Sequence, residues 1–363
     1  MKVRHILGIS GGKDSAALAI YMKRNYPNLG IEFYNSDTGC ELAETEILIE
    51  KLESVLGSVK RLRAIEGRNP FEFFLEKTGN FLPSPQQRWC TIRMKLEVFE
   101  KYVGNDLAVS YVGIRGDEDR DGYISTKPNI QAVFPFRRNI WSLDVINKFL
   151  NNANTEQVLD IYDKLCPQGR KKYDITGILK QPIGKGFYYS KKLNALLDID
   201  TKMFNHAVFE FLKTTDYPVG QLDEFPLIDN TDVLVKKDIF QLLEDSGVGV
   251  PSYYKEIPFE VDGQTGTYCR SRSGCYFCFF QQKIEWIWLY EQHPDLFRKA
   301  MEYEKNGYTW NQNETLADMI KPERIRQIKL DVIKKQNANR KQNKGTNLVD
   351  IFGDDILCTN CFI

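Results

Sequence analysis

The stretch "ISGGKDSAALAI", residues 9–20, joins the end of an apolar run to the start of a helical pattern through Ser10, Gly11, Gly12, Lys13, Asp14 and Ser15. A buried strand that enters a glycine turn and leaves as a helix is the opening unit of a parallel α/β sheet. Two glycines let the backbone come close to an anion, and the helix start offers free N–H groups and a positive dipole end. The spacing is neither G-x4-G-K-[ST] nor G-x-G-x-x-G, which excludes the two commonest phosphate loops. A plain glycine-rich turn is the structural alternative.

The same alternation continues outward. "VRHILGIS" (3–10), "IEFYNSD" (31–37), "VKRLRAI" (59–65) and "LAVSYVGIR" (107–115) read as strands. "ELAETEILIEKLESVLG" (41–57) has apolar residues at helical spacing and carboxylates on the other face. Together they predict a doubly wound parallel α/β sheet with ligands at the C-terminal strand ends. We divide the chain into a first core part (1–133), a helical insertion or subdomain (134–225) and a second core part (226–265). A cysteine segment with its helix (266–310) and a basic helical tail (311–363) follow. The insertion holds the helical "NKFLNNANTEQVLDIYDKL" and the basic "GRKKYDITGILKQPIGKGFYYSKK". "DVLVKKDIFQLLEDSGV" predicts a helix ending near Gly247, and "IEWIWLYEQHPDLFRKAMEYEK" one helical stretch.

Lys+Arg and Asp+Glu both number 49, so the net charge is zero and any basic surface must be local. Residues 321–344 are such a place, with nine Lys/Arg against Glu323 and Asp331. No apolar run reaches membrane length, and the first ten residues run straight into a strand pattern. Both features imply no membrane and a reducing, cytoplasmic compartment. The eight cysteines then read as ligands, redox groups or apolar fillers and not as disulfides. Three fall in "YCRSRSGCYFCFFQQKIEW" (268–286) as Cys269, Cys275 and Cys278, spaced C-x5-C-x2-C. A tetrahedral metal or a cubane cluster usually takes four protein ligands. The tail pair Cys358 and Cys361 could complete the set; Cys40 and Cys166 are most simply buried small residues.

Ser10 to Ser15, S-G-G-K-D-S after a first strand, resembles the pyrophosphate-binding loop (PP-loop) of the N-type ATP pyrophosphatases. "NSDTGCELAET" (35–45), "RWCTIRMKLEVFE" (88–100), "GIRGDEDRDG" (113–122) and "FPLIDNTDVLVKKDIFQLLEDSGVGVPSYY" (225–254) resemble, in order, segments of its phosphoadenylylsulfate (PAPS) reductase-like branch. The third departs after Arg115, and the fourth lacks the branch's tryptophan. An intact loop beside a cysteine cluster is similar to the sulfur-transfer proteins of DNA phosphorothioation systems. That resemblance implies an ATP pyrophosphatase and sulfurtransferase with ATP, Mg2+ and a [4Fe–4S] cluster, zinc being the alternative. Its site would comprise Ser10, Gly11, Gly12, Lys13, Asp14, Ser15, Asp37 and Gly113 around ATP. Lys13, Asp14 and Arg115 would be catalytic, and Cys90, Cys269, Cys275 and Cys278 would ligate the cluster. Arg115 could instead be a surface ion pair with Asp117 or Glu118. DNA is the implied substrate, with a cysteine desulfurase and other modification-system proteins as partners. The basic stretches "FRRN", "GRKKY", "GKGFYYSKK" and 321–344 would meet the DNA. Sulfate-activating, sulfonucleotide-reducing and tRNA-thiolating enzymes are the alternatives, with a non-catalytic nucleotide-binding module carrying structural zinc outside that class.

Overall fold

A computed structural model describes residues 2–119 and 125–342. Strand β1 (Arg4–Gly8) has Ile6 and Leu7 fully buried, as a central strand requires. It pairs in parallel with β2 (Glu32–Asp37) on one side and β4 (Ala108–Tyr111) on the other. β3 (Val59–Arg63) extends the sheet beyond β2, and β5 (Ile130–Val133) extends it beyond β4. The order β3-β2-β1-β4-β5 is wholly parallel, so the chain is an α/β protein with a doubly wound sheet. Winding reverses between β1 and β4, and the crevice at their C-terminal ends is where such sheets bind ligands.

Helix α1 (Lys13–Asn25) is buried over ten consecutive residues, Lys13 to Met22. Its burial on every side follows from its neighbours. It lies between the sheet, α2 (Ala43–Leu56), α11 (Lys236–Asp245) and the main core. Each fully buried Leu18, Ile20 or Met22 contributes about 1.5–3 kcal/mol. Tyr21 ties α1 to the segment before α11, its hydroxyl donating to Asp232 at 2.7 Å. Gly247, at φ 78°, ends the α11 turn where the sequence places it. The connection from β3 to β4 carries α3 (Pro70–Lys77), the short α4 (Trp89–Thr91) and α5 (Glu97–Val103).

Between β5 and α11 stand five helices: α6 (Leu143–Phe149), α7 (Thr155–Leu165), α8 (Arg170–Lys180), α9 (Tyr189–Ile199) and α10 (Thr201–Leu212). Their apolar faces share one core with α1, around Phe149 between Phe204 and Phe211. Lys192, counted among the basic residues of "GKGFYYSKK", is only 1% exposed. Its ammonium donates to the carbonyls of Leu179 and Gln181 and so caps the end of α8. It belongs to the core and not to a basic surface.

A hairpin, β6 (Ile257–Val261) and β7 (Gln264–Tyr268), precedes the cysteines. Asp262 and Gly263 turn it, both at positive φ. The stretch expected as one helix is two, α12 (Lys283–Gln292) and α13 (Pro294–Glu302). Pro294 lacks an N–H and presets φ, so it opens a new helix rather than continuing the old one. A short helix, α14 (Leu316–Met319), then leads to α15 (Pro322–Gln342), which packs on β7 and α12.

Three cations of α15 meet carboxylates: Arg326 pairs with Asp262 and Glu323, Lys329 with Glu291, and Lys334 with Asp331. Arg324 and Lys283 both bind Glu314, fastening the start of α15 to α12. Arg324, then Lys283, hold the Glu314 carboxyl below the ordinary glutamate value of 4.5 despite partial burial. A depressed carboxylate stabilises the fold fully above that value and loses the contribution as pH falls through its lower folded pKa. Hydrogen exchange in α15 should therefore quicken relative to α1 below about pH 4. Equal protection ratios at pH 3 and pH 6 would refute this. Among the described residues, no helix is long and apolar enough to cross a membrane.

Candidate functional site

The backbone past β1 turns sharply at Gly11, whose φ is 74°. A Cβ there would stand 2.2 Å from Thr45 Cγ2, so only glycine fits on both counts. The turn is braced by polar contacts. Ser10 N donates to Ser15 Oγ at 3.1 Å, Ser15 Oγ donates to Gly12 O, and Tyr253 Oη donates to Gly11 O at 2.8 Å. The N-cap of α1 is Gly12, with no side chain of its own to satisfy the first amides, and Lys13 N reaches only Tyr254 Oη, at 3.4 Å. An uncapped start on a helix of this length is suited to an anion. Gly11→Ala should lose about 1–3 kcal/mol of stability. A variant with wild-type melting temperature would contradict the steric argument.

Lys13 and Asp14 are 4% and 3% exposed. Lys13 Nζ lies 3.1 Å from Asp14 Oδ2 and 5.0 Å above the Tyr254 ring. On the other side of Asp14, Arg115 Nη1 donates to Oδ1 at 2.9 Å. Arg115 is 2% exposed and also pairs with Asp117 at 2.8 Å and Glu118 at 3.0 Å. The surface-pair alternative is thus replaced by a buried charge network that includes both expected acidic neighbours and Asp14. Burial alone would raise the Asp14 pKa, but Lys13 and Arg115 outweigh it and hold the carboxyl below its ordinary value. Gly113 lets this happen: a Cβ there would come within 2.9 Å of Asp14 O.

Ser10 to Ser15, Gly113 and Arg115 therefore converge at the β1/β4 crevice. Asp37 closes the end of β2 and is held by its own loop and by β3. Its carboxylate accepts from Gly39 N at 2.8 Å and pairs with Arg63 at 3.6 Å.

The cysteines divide. Cys90, Cys275 and Cys278 line one pocket with Lys95, Met94 and a shell of phenylalanines. Cys269 lines a different pocket with Lys13, Lys236, Tyr254 and Arg270. The reason is how the loop is pinned. Arg270 N donates to Tyr253 O, and Ser271 N and Oγ both donate to Glu285 Oε1, which keeps the end of β7 beside α1. Cys275 is instead bridged to Glu41, and Tyr276 N donates to Cys40 O at 3.0 Å. Thr38 Oγ1 lies 3.3 Å from Cys275 Sγ. "DTGCE" thus backs the cysteine loop, a role that sequence reasoning misses. The signal it leaves is slight: polar residues at a strand end whose partner lies over 230 residues later. Cys90 sits at the entrance of a π-helical turn, Ile92–Leu96, a form often found at functional sites.

Burial pushes the Cys90 thiol up to about 11, with Cys278 adding to it. Burial and then Glu41 push Cys275 up to about 12. Burial, then Glu256 and Glu285, push Cys269 up to about 12. Thiolate sulfur is the donor that a soft metal or iron–sulfur centre takes, and the centre's own charge would have to offset the raised pKa values to displace the protons. Three thiols on one pocket therefore fit such a centre by donor chemistry. No group of three Cys, His, Asp or Glu side chains among the described residues has the spacing of a shared metal site. Cys40 and Cys166 are buried, as their apolar reading requires, and Cys358 and Cys361 lie outside the described residues.

The two loops touch. A Cβ on Gly12 would stand 2.5 Å from Ser273 Oγ, so the cysteine loop rests on the glycine loop. No family model matches the chain, and no solved structure matches it. Among curated proteins, an uncharacterized protein of Methanocaldococcus jannaschii is 28% identical over 167 residues, 43% of this chain. That match covers 37% of the archaeal protein's length.

Proposed function

We propose that this chain is a PP-loop ATP pyrophosphatase that activates an oxyanionic acceptor for sulfur transfer. The observation that carries the reading is the contact of Gly12 with Ser273, which sets a phosphate-type loop against a three-cysteine pocket. The amides of Gly11 to Ser15 and the α1 dipole would hold ATP phosphates, with Lys13 adding positive charge. Asp14 would orient Lys13 and Arg115 and share its carboxylate with Mg2+. Arg115 would neutralise charge at the α-phosphate or on the oxygen being activated. An acceptor oxygen attacks the α-phosphorus, pyrophosphate leaves, and sulfide then displaces AMP from the acceptor. Cys90, Cys275 and Cys278 would hold a [4Fe–4S] cluster, with zinc as the alternative; the cluster would supply iron sites for sulfide.

A DNA backbone phosphate is the acceptor that the family resemblance implies, with a cysteine desulfurase as the sulfur donor. One observation favours a second acceptor, a small oxyanion such as sulfate. Among the described residues, Arg324, Arg326 and Lys329 on α15 are matched by carboxylates, and Lys192 is buried, which shrinks the basic footprint. ATP–pyrophosphate exchange assayed with DNA, tRNA and sulfate decides among them. Stimulation by DNA supports phosphorothioation, stimulation by sulfate alone moves the chain to sulfate activation, and no exchange with any removes the pyrophosphatase reading.

A further inference from the structure

Several cations that the sequence gathers in the insertion are taken up by the fold. Lys171 pairs with Asp200 at 2.8 Å, Lys172 pairs with Asp163, and Lys192 is buried. Lys180, Lys185 and Lys191 differ: each is exposed, and none meets a carboxylate among the described residues. They stand around one turn, between the end of α8 and the start of α9, and that turn is pinned. Gly184 and Phe187 bridge each other across it, and Ile183 N donates to Asn152 Oδ1 at 2.8 Å. From the first turn of α9, Lys192 donates to the carbonyls of Leu179 and Gln181. Lys191 Nζ lies 5.7 Å from the Phe187 ring centre. Three unmatched like charges thus share one short, fixed stretch, although their mutual repulsion opposes it.

Two aromatic rings stand out beside them. Tyr173 is 79% exposed and Tyr188 64%. Burial of either ring would be favourable, yet the fold leaves both in water. Tyr173, Gly177 and Lys180, at i, i+4 and i+7 of α8, line a shallow groove of about 560 Å3. The groove ends at Gln181, where the turn begins. Asp174, the carboxylate in its lining, is paired with Arg170 at 3.7 Å. Gly177 sits in mid-helix on this exposed face with no steric need for glycine, since a Cβ there would meet nothing within 4 Å. Glycine weakens a helix relative to alanine, so the bare backbone serves an outside group that comes close.

We propose that this face of the insertion binds a single-stranded nucleic acid, with Tyr173 and Tyr188 stacking on its bases and Lys180, Lys185 and Lys191 meeting its phosphates. The occupant follows from the two features together. Cations alone would suit any polyanion. Exposed tyrosine rings call for flat apolar partners, which an unpaired strand offers and a duplex keeps within its own stack. The face shares no residue with the glycine loop or the cysteine pocket. It rests on the pyrophosphatase reading only in that the strand would carry the acceptor oxygen.

Fluorescence anisotropy of a labelled, mixed-sequence DNA strand of about 12 nucleotides tests it on the full chain. The wild type should bind the strand about tenfold more tightly than the duplex formed with its complement. Tyr173→Ala and Tyr188→Ala should each weaken strand binding about fivefold or more. Lys185→Gln should reduce the slope of log affinity against log salt by about 0.7, the share of one phosphate contact on a single strand. Gly177→Gln should melt no lower than the wild type, as helix propensity requires, yet bind the strand more weakly, which a purely structural glycine would not do. Equal affinity for the duplex, unchanged affinity in both tyrosine variants, or equal competition by polyglutamate each overturns the proposal, the last in favour of an acidic protein partner. All four variants should keep the affinity for a non-hydrolysable ATP analogue within about twofold, because none touches the glycine loop. A wild type that binds the strand and no ATP analogue keeps this surface and removes the pyrophosphatase reading; one that binds the analogue and not the strand does the reverse.

Discussion

Asp14→Asn is expected to lower ATP-dependent pyrophosphate release by about a thousandfold. The substitution keeps shape and one acceptor oxygen but deletes the charge held between Lys13 at 3.1 Å and Arg115 at 2.9 Å. Two effects then act together. On the proposed reading, Mg2+ would lose a carboxylate partner, and Lys13 and Arg115 would lose the anion that positions them against the phosphates. Asp14→Ala is the harsher change, because removing one member of a buried ion network costs about 3–5 kcal/mol. The isosteric variant is therefore the better probe, with circular dichroism confirming that it is folded. Full pyrophosphate release from folded Asp14→Asn would sink the catalytic assignment of the loop.

The second large effect concerns the cysteines. Cys90→Ala, Cys275→Ala and Cys278→Ala should each abolish the broad absorbance near ~400 nm of an iron–sulfur protein. Cys269→Ala should retain it, because Cys269 opens onto the pocket of Lys13 and Arg270. Metal analysis of the same four variants distinguishes the centres: a colourless wild type holding zinc replaces iron–sulfur with zinc on the same thiolates. Loss of metal from Cys269→Ala would restore the four-cysteine set implied by the resemblance. Retention in Cys90→Ala would send the search for a ligand to Cys358 and Cys361.

Much of the sheet is legible in the sequence because its strands announce themselves. The runs containing β1, β2, β3 and β4 are apolar or alternating and are separated by helical periods. β5, with the sequence IQAV, is not legible in this way. A four-residue run buried on both faces has no alternation to show. The β6–β7 hairpin does leave a signal, Asp262-Gly263 between Val261 and Gln264, but the neighbouring cysteines overshadow it. Pro294 likewise marks the break between α12 and α13, since a proline inside a helical period ends one helix and opens the next.

The site is legible to the extent that its parts are local. Ser10 to Ser15 are contiguous, so their geometry follows from one turn and one helix start. The grouping of cysteines is not local: spacing counts residues along the loop and says nothing of which side each faces. Glu285 and Glu41 settle that from distant elements. Arg270 is the extreme case. Between a cysteine and two serines it reads as a solvated cation, and only Trp288, Gln281 and the Cys275 carbonyl make it a core residue.

The meeting of Gly12 and Ser273 has a thermodynamic consequence. On the proposed reading the wall of one site is also the floor of the other, so a ligand that moved Ser273 would alter the space open to a nucleotide phosphate. Coupling of this kind is reciprocal. Whatever factor a metal centre applies to nucleotide affinity, the nucleotide must apply to metal affinity. The contact is close: a methyl group in place of the Gly12 hydrogen would stand 2.5 Å from Ser273 Oγ, so the serine would have to turn or the two loops part.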